Sequence, residues 1–385
     1  MQKVLQASAL RAQVATVLIA SGSARQEAWT VAANLVMANL SGHDSHGVGM
    51  LPRYVDAVLE GGLKPNATVQ TVLDIGSMLT LNGQRGYGQV IGEQAMALGI
   101  ARAKAHGSCI MALAESHHLG RIGHFAEMAV AQGLVSLHFV NVISRPVVAP
   151  WGGTDGRFGT NPCCIGIPLA GHRVVTEHSE GPSRASSAAP EDSAVPATTS
   201  VNAHFILDFA TSCVAQGKMR VAYNQGQSVK PGLLMDEKGR PTTNPGVVVV
   251  PQSNGLLGAL MTFGEHKGYG LAVACELLGG ALTGGATWHT APTAANTSSR
   301  AVLNSMLTIL IDPAKLGTQA SFEAEALAFV NWLRQSPPAD GQEAVQIAGA
   351  PERAARQQRE RDGIQIDMQT WQEIVDAAGR VGVNL

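Results

Sequence analysis

The hydrophobic period of this chain changes at residue 69, and that change limits what it can fold into. Before it, apolar residues recur at helical spacing. Residues 3–21 and 24–41 read as two helices, the second with Trp29, Ala32, Val36 and Leu40 on one face and a capping-box spacing from Ser23 to Gln26. Pro52 suits the first turn of a third helix that ends at Gly61-Gly62. After residue 69, β-rich runs alternate with helical ones. The strands are read at 69–75, 78–82, 109–114, 134–142, 163–169, 205–209 and 302–311, and the helices at 88–106, before 224 and 266–282. Such alternation calls for helices packed on a sheet, an α/β (mixed) fold. The expected division is a helical part at 1–68, an α/β domain at 69–320, and a C-terminal helical segment at 321–385 packing back on the first. Within the last, helices are read near 321–335 and 367–380, with Asp367 as a cap.

Residues 176–200, between Val174-Val175 and the strand at 205–209, contain no aromatic, Leu, Ile or Met and read as a flexible insertion. The net charge of -2 leaves no basic footprint for nucleic acid. No apolar run approaches the length of a membrane span, and the short run at 14–20 continues an amphipathic helix instead of forming a signal peptide. The 5 cysteines (Cys109, Cys163, Cys164, Cys213, Cys275) are odd in number and form no C-x-x-C, so reduced thiols in a cytoplasmic protein are expected.

The chemistry concentrates in Gly42-His43-Asp44-Ser45-His46-Gly47, a turn between two helical patterns. Four readings compete there. Helix capping is one. A metal site is disfavoured because His43, His46, His117, His118 and His124 match no ligand framework, so no metal is expected. A Ser45–His46–Asp208 hydrolase has the right residue types, but Ser45 adjoins His46 in sequence and no G-x-S-x-G elbow exists. The fourth is proton transfer in carbonyl reduction, where a His tuned near neutrality serves the oxygen and Asp208 orients the ring. An arginine or the helix N-terminus after Gly47 would then hold a substrate carboxylate. Neither G-x-G-x-x-G nor a P-loop occurs, so an ordinary Rossmann enzyme is not supported.

The segments GHDSHGVGMLPRYV (42–55), LNGQRGYGQV (81–90), SHHLGRIGHFAE (116–127), RFGTNP (157–162), ILDFATS (206–212), PTTNP (241–245), FGEHKGYGLA (263–272) and LNSMLTILIDP (303–313) follow one another in family order. In them the chain resembles the type-2 malate/L-lactate dehydrogenase family, most closely its hydroxycarboxylate dehydrogenase B group. The resemblance implies a non-Rossmann fold, a homodimer, and NAD- or NADP-dependent interconversion of small 2-oxo and 2-hydroxy acids. It makes 69–320 the cofactor domain and His46 the proton donor/acceptor, with Ser45 and Asp208 as relay partners and His118 as a second acid/base. It places cofactor contacts at His46, Gly120, Arg121, Ile122, Ile206, Leu207, Asp208, His266 and Asn304, and at a late turn of Gly349, Ala350, Pro351 and Glu352. Thr160 resembles a substrate-side position. Many relatives carry an arginine four residues after the motif histidine; here that residue is Met50, which makes Arg53 the candidate carboxylate grip. Because the resemblance extends to an imine reductase acting on piperideine carboxylates, that activity is the alternative within the class.

Overall fold

In chain order the elements of the computed structural model are β1 (Gln2–Leu5), α1 (Ala7–Ala20), α2 (Arg25–Leu40), α3 (Leu51–Leu59), β2 (Gln70–Ile75), β3 (Met78–Asn82), α4 (Gly88–His106), β4 (Ser108–His117), α5 (Gly123–Ala131), β5 (Val135–Ile143), β6 (Cys163–Ile167), β7 (Phe205–Phe209), α6 (Gln216–Asn224), β8 (Leu234–Met235), β9 (Pro241–Thr242), β10 (Ala259–Leu260), α7 (His266–Cys275), β11 (Leu303–Ile311), α8 (Gln319–Arg334), α9 (Ala350–Asp362), β12 (Ile364–Asp367) and α10 (Met368–Arg380). The structure describes residues 2–169, 204–290 and 301–385. The expected insertion at 176–200, the Val174-Val175 run and the polar stretch 291–300 lie outside them.

The first core is helical and is finished by the far end of the chain. Leu10, Val14, Leu18, Leu35, Leu51 and Tyr54 pack with Ile364, Ile366, Trp371, Ile374 and Ala378. β1 pairs antiparallel with β12, from Gln2 opposite Asp367 to Leu5 opposite Ile364. This pairing corrects the reading of 3–21 as one helix. The first residues are held extended by a partner more than 350 positions away, which no local period encodes. The Ser23–Gln26 capping box is also not formed. Ala24 is the residue before α2, and its N–H is satisfied by Asn66 Oδ1 at 2.7 Å. Asp367 does cap α10, accepting from Thr370 N–H at 2.9 Å.

The second core lies under a seven-stranded sheet of order β2-β3-β4-β11-β5-β6-β7. Its strand pairs are antiparallel except β3 with β4, which α4 joins as a single crossover. A sheet of this mixed kind has no Rossmann βαβαβ half, which is the physical reason the fingerprint is missing. α4 approaches the sheet and α5 along small residues. A Cβ on Gly92 would lie 2.3 Å from Phe125, and one on Gly99 3.2 Å from Leu310. α7 runs on as a π-helical turn (Glu276–Ala281), where Gly279 passes against the β5 backbone. α8 packs separately, with Val330 against Leu169 and Ile347. No described helix is long and apolar enough to cross a membrane.

Because Trp371 fills the N-terminal core from the last helix, Trp371→Ala should cost about 3 to 5 kcal/mol. A urea titration followed by circular dichroism should show the midpoint falling accordingly; an unchanged midpoint would mean that α10 is not part of that core.

Candidate active site

α2 ends in a Schellman arrangement that aims the next residues out of the helix. His43 N–H bonds the Ala38 carbonyl and Gly42 N–H that of Asn39, each at 2.9 Å, with Gly42 at φ +80°. Two 3₁₀ turns follow, Asp44–His46 and Val48–Met50, so the expected helix-to-helix turn is present. Asn39 holds it from inside: Oδ1 accepts from Val48 N–H (2.8 Å) and Nδ2 donates to Asp44 (2.6 Å). A Cβ on Gly47 would sit 2.2 Å from that Oδ1, so the position has room for glycine alone.

The turn is braced from outside by α9, a helix that the sequence reading took only as a turn at 349–352. Glu352 meets His43 Nε2 at 3.1 Å, Arg356 donates to Ser41 Oγ at 2.7 Å, and Arg359 pairs with Asp44 (2.6 Å) and reaches the Asn39 carbonyl. These arginines meet the C-terminal end of α2, where a cation is favoured. α9 has no buried residue, so periodicity has nothing to detect.

The structure brings His46 and His118 together. His46 Nδ1 lies 3.3 Å from His118 Nε2. The ring planes are 9° apart with centroids separated by 5.3 Å. That is the edge-to-edge geometry an N–H···N bond needs. His118 Nδ1 lies 2.7 Å from Tyr54 Oη, which accepts from Gln89 Nε2 at 2.6 Å. His118, Tyr54 and Gln89 are buried, and His46 is partly exposed. A Cβ on Gly88 would lie 2.2 Å from the His118 carbonyl, so glycine there lets α4 carry Gln89 up to Tyr54. Burial, then the charges of His43 and Arg121, brings the His46 pKa down to about 4. Burial, then His46, His117 and Arg53, holds His118 well below its ordinary value. Tyr54 is pushed up by burial.

The relay from His46 through Asp208 is not built. Asp208 Oδ2 instead accepts from Gly123 N–H at 2.7 Å, at the start of α5, and no hydrogen bond joins it to His46. Its carboxyl is raised by burial against the pull of Arg121. Ser45 faces α6, where a Cβ on Gly217 would lie 2.9 Å from Ser45 Cβ. The Ser45–His46–Asp208 triad is therefore absent as well. His46 finds its partner just past the end of β4, where His118 follows that strand.

The segments expected to hold a dinucleotide converge. Ile206 N–H bonds the Ala348 carbonyl at 3.2 Å, and a Cβ on Gly349 would lie 3.3 Å from Ile206. Arg121 sits beside Asp208 across Gly123, where a Cβ would be 2.5 Å from Arg121 Nη1 and 3.0 Å from Asp208 Oδ2. Ile122 precedes α5, and Leu207 shares β7 with Asp208. Arg121 is buried and donates to Glu127 at 2.5 Å, and Arg356 pairs with the same carboxylate. Burial works against the Glu127 charge, but Arg121 and Arg356 outweigh it and bring the carboxyl to about 2. Asn304 is used structurally: Oδ1 accepts from Leu119 N–H (2.9 Å) and Nδ2 donates to the Asn141 carbonyl (3.0 Å). His266 is exposed at the start of α7. The Thr160 carbonyl accepts from Thr211 N–H at 3.0 Å. Pro351 lies in the first turn of α9, directly after Ala350. Met50 packs against the helical core, whereas the Arg53 charge acts on His117 and His118. Tyr54, Gln89 and the α9 arginines are the site residues that the sequence reading missed. Tyr54 lies within the 42–55 motif, but nothing in its spacing marks its partner.

The malate/L-lactate dehydrogenase family model matches residues 5–179 and 180–375, and the chain belongs to that family. It is 42% identical over 377 residues to hydroxycarboxylate dehydrogenase B of Escherichia coli K12, covering 98% of this chain and 94% of that protein. A solved putative malate/lactate dehydrogenase from E. coli superposes with a TM-score of 0.85 at 42% identity, over 99% of this chain and 96% of that one. A Δ1-piperideine-2-carboxylate reductase from Pseudomonas syringae superposes at 0.78 with 25% identity, over 97% and 99% of the two chains.

Burial brings His117, with Arg53 also acting, and His138 to about 3 in the fold. Unfolding restores a pKa near 6.5, so the unfolded chain binds more protons below that value and stability falls as pH drops. The loss should begin near pH 6.5, continue to about 3, and reach about 2 kcal/mol per histidine at pH 5. Urea midpoints at neutral pH and pH 5 measure it, and His138→Gln should flatten the slope.

Proposed function

We propose that the chain is a cytoplasmic, homodimeric NAD- or NADP-dependent hydroxycarboxylate dehydrogenase that reduces 2-oxo acids and oxidises 2-hydroxy acids. The observation carrying this reading is the partly exposed His46, hydrogen-bonded to buried His118, at the place where Arg121, β7 and the start of α9 meet. What supports a dinucleotide there is that Gly123 and Gly349 let the start of α5, β7 and the start of α9 close on one another, with the Arg121 cation held by Glu127 beside Asp208. Gly120, Arg121, Ile122, Ile206, Leu207, Asp208 and the turn Gly349, Ala350, Pro351, Glu352 would hold it. When bound, it supplies or accepts the hydride.

The chain's own residues do the rest. His46 hydrogen-bonds the substrate oxygen, gives it a proton as it becomes a hydroxyl, and takes that proton back in oxidation. Arg53, one helical turn past Met50, is the proposed grip on the substrate carboxylate, with Thr160 on the substrate side. Met50, partly buried against the helical core, makes the place of the usual arginine apolar, which suits substrates bulkier than malate. The piperideine-2-carboxylate reductase similarity makes cyclic imines the second substrate class to test. The exposed Val72, Leu73, Ile75 and Met78 of the β2–β3 hairpin support a homodimer.

Incubation with NADH or NADPH and a panel of 2-oxo acids and cyclic imines should consume the reduced cofactor. His46→Ala should abolish turnover while the circular-dichroism spectrum shows the fold intact. Arg53→Met should raise KM by about tenfold or more with a smaller change in kcat. Absence of both nicotinamide binding and turnover in the unmodified protein would sink the reading.

A further inference from the structure

The hydrogen-bond chain running inward from His46 has a polarity, and that polarity gives its two histidines different work. The Gln89 amide donates to Tyr54 Oη at 2.6 Å, so the Tyr54 hydroxyl hydrogen is left for its other neighbour, His118 Nδ1, at 2.7 Å. Among the described residues that hydroxyl has no third partner. A neutral imidazole that accepts at Nδ1 carries its hydrogen on Nε2. For His118 that hydrogen points at His46 Nδ1, 3.3 Å away. His46 in turn carries its own hydrogen on Nε2, the nitrogen without a partner among the described residues, on a ring that is partly exposed.

We propose that Tyr54, supported by Gln89, is a positioning residue that sets the tautomer of His46 through His118, so that His46 alone exchanges a proton with the substrate. Both nitrogens of His118 are engaged, and of the pair's four ring nitrogens only His46 Nε2 has no partner among the described residues. In reduction the proton that His46 Nε2 gives to the alkoxide is replaced at His46 Nδ1 by the one on His118 Nε2, and that one at His118 Nδ1 by the Tyr54 hydroxyl hydrogen, which leaves on Tyr54 an oxygen that accepts from the Gln89 amide. Oxidation runs the same three transfers backwards. Both rings stay neutral, and the one proton given up is returned from solvent through His46 after the product leaves.

This inference rests on the dehydrogenase reading, but its test is separable from it. Imidazole nitrogen shifts of ¹⁵N-histidine-labelled protein, without cofactor or substrate, distinguish the tautomers, with His46→Gln and His118→Gln giving the assignments. Both rings are expected as Nε2–H. Tyr54→Phe should move His118 toward Nδ1–H and lower kcat in both directions by about tenfold or more, with KM within about threefold. Gln89→Met should shift the same signals and serves in its place if Tyr54→Phe does not fold. A purely structural Tyr54 would lower the melting temperature and leave tautomers and kcat alone. His118 found as Nδ1–H in the unmodified protein, or unchanged kcat in Tyr54→Phe, overturns the proposal. Failure of nicotinamide turnover in the unmodified protein would instead remove the dehydrogenase reading and leave the tautomer result standing.

Discussion

The ion cluster that joins buried Arg121 to the partly buried Glu127 and Arg356, with Asp208 beside it, is the interaction on which the site's geometry depends. Arg121 follows β4, Glu127 belongs to α5, Asp208 to β7 and Arg356 to α9. Charges taken out of water are costly unless each is paired, so none of these elements can shift without leaving a neighbour uncompensated. Arg356 also reaches Ser41 at the end of α2, which couples the sheet to the helical core at the His46 turn. The cluster therefore works less as a source of stability than as a positional lock.

Around that lock the site is built from close backbone approaches. Gly47 yields to Asn39, Gly88 to the His118 carbonyl, and Gly123 to Arg121. Each removes one side chain so that a polar group from another element can arrive. The result is a pair of histidines held neutral by burial, one ring edge open and the other end of the chain closed by Tyr54 and Gln89. A buried polar chain of this kind holds one arrangement because every alternative strands a donor or acceptor.

Much of the architecture was legible beforehand because it follows from period and punctuation. β3 and α4 have the residue bounds expected of them, the strands from 109 to 167 were located to within a few residues, and Asp367 caps the helix it precedes. The misses share a cause. β1 is extended only because β12 pairs with it, and α9 is a polar helix whose support is an arginine row facing another element. Neither leaves a hydrophobic period. The Asp208 assignment failed as a contact for the same reason: a carboxylate at a strand end can serve either a ring or a helix N-terminus, and the packing of α5 gave it the latter.

By itself the sequence determined the mixed α/β class, the helical turn that carries His46, and membership of a family of hydroxy-acid enzymes, because these reside in local period and in contiguous motifs. Tertiary structure decided which groups meet. It set His118 rather than Asp208 beside His46, packed Met50 against the helical core, and closed the chain with Tyr54 and Gln89. Those choices depend on the approach of α3, α4 and the end of β4 to within hydrogen-bond distance, a distance set by small residues on surfaces far apart in the sequence.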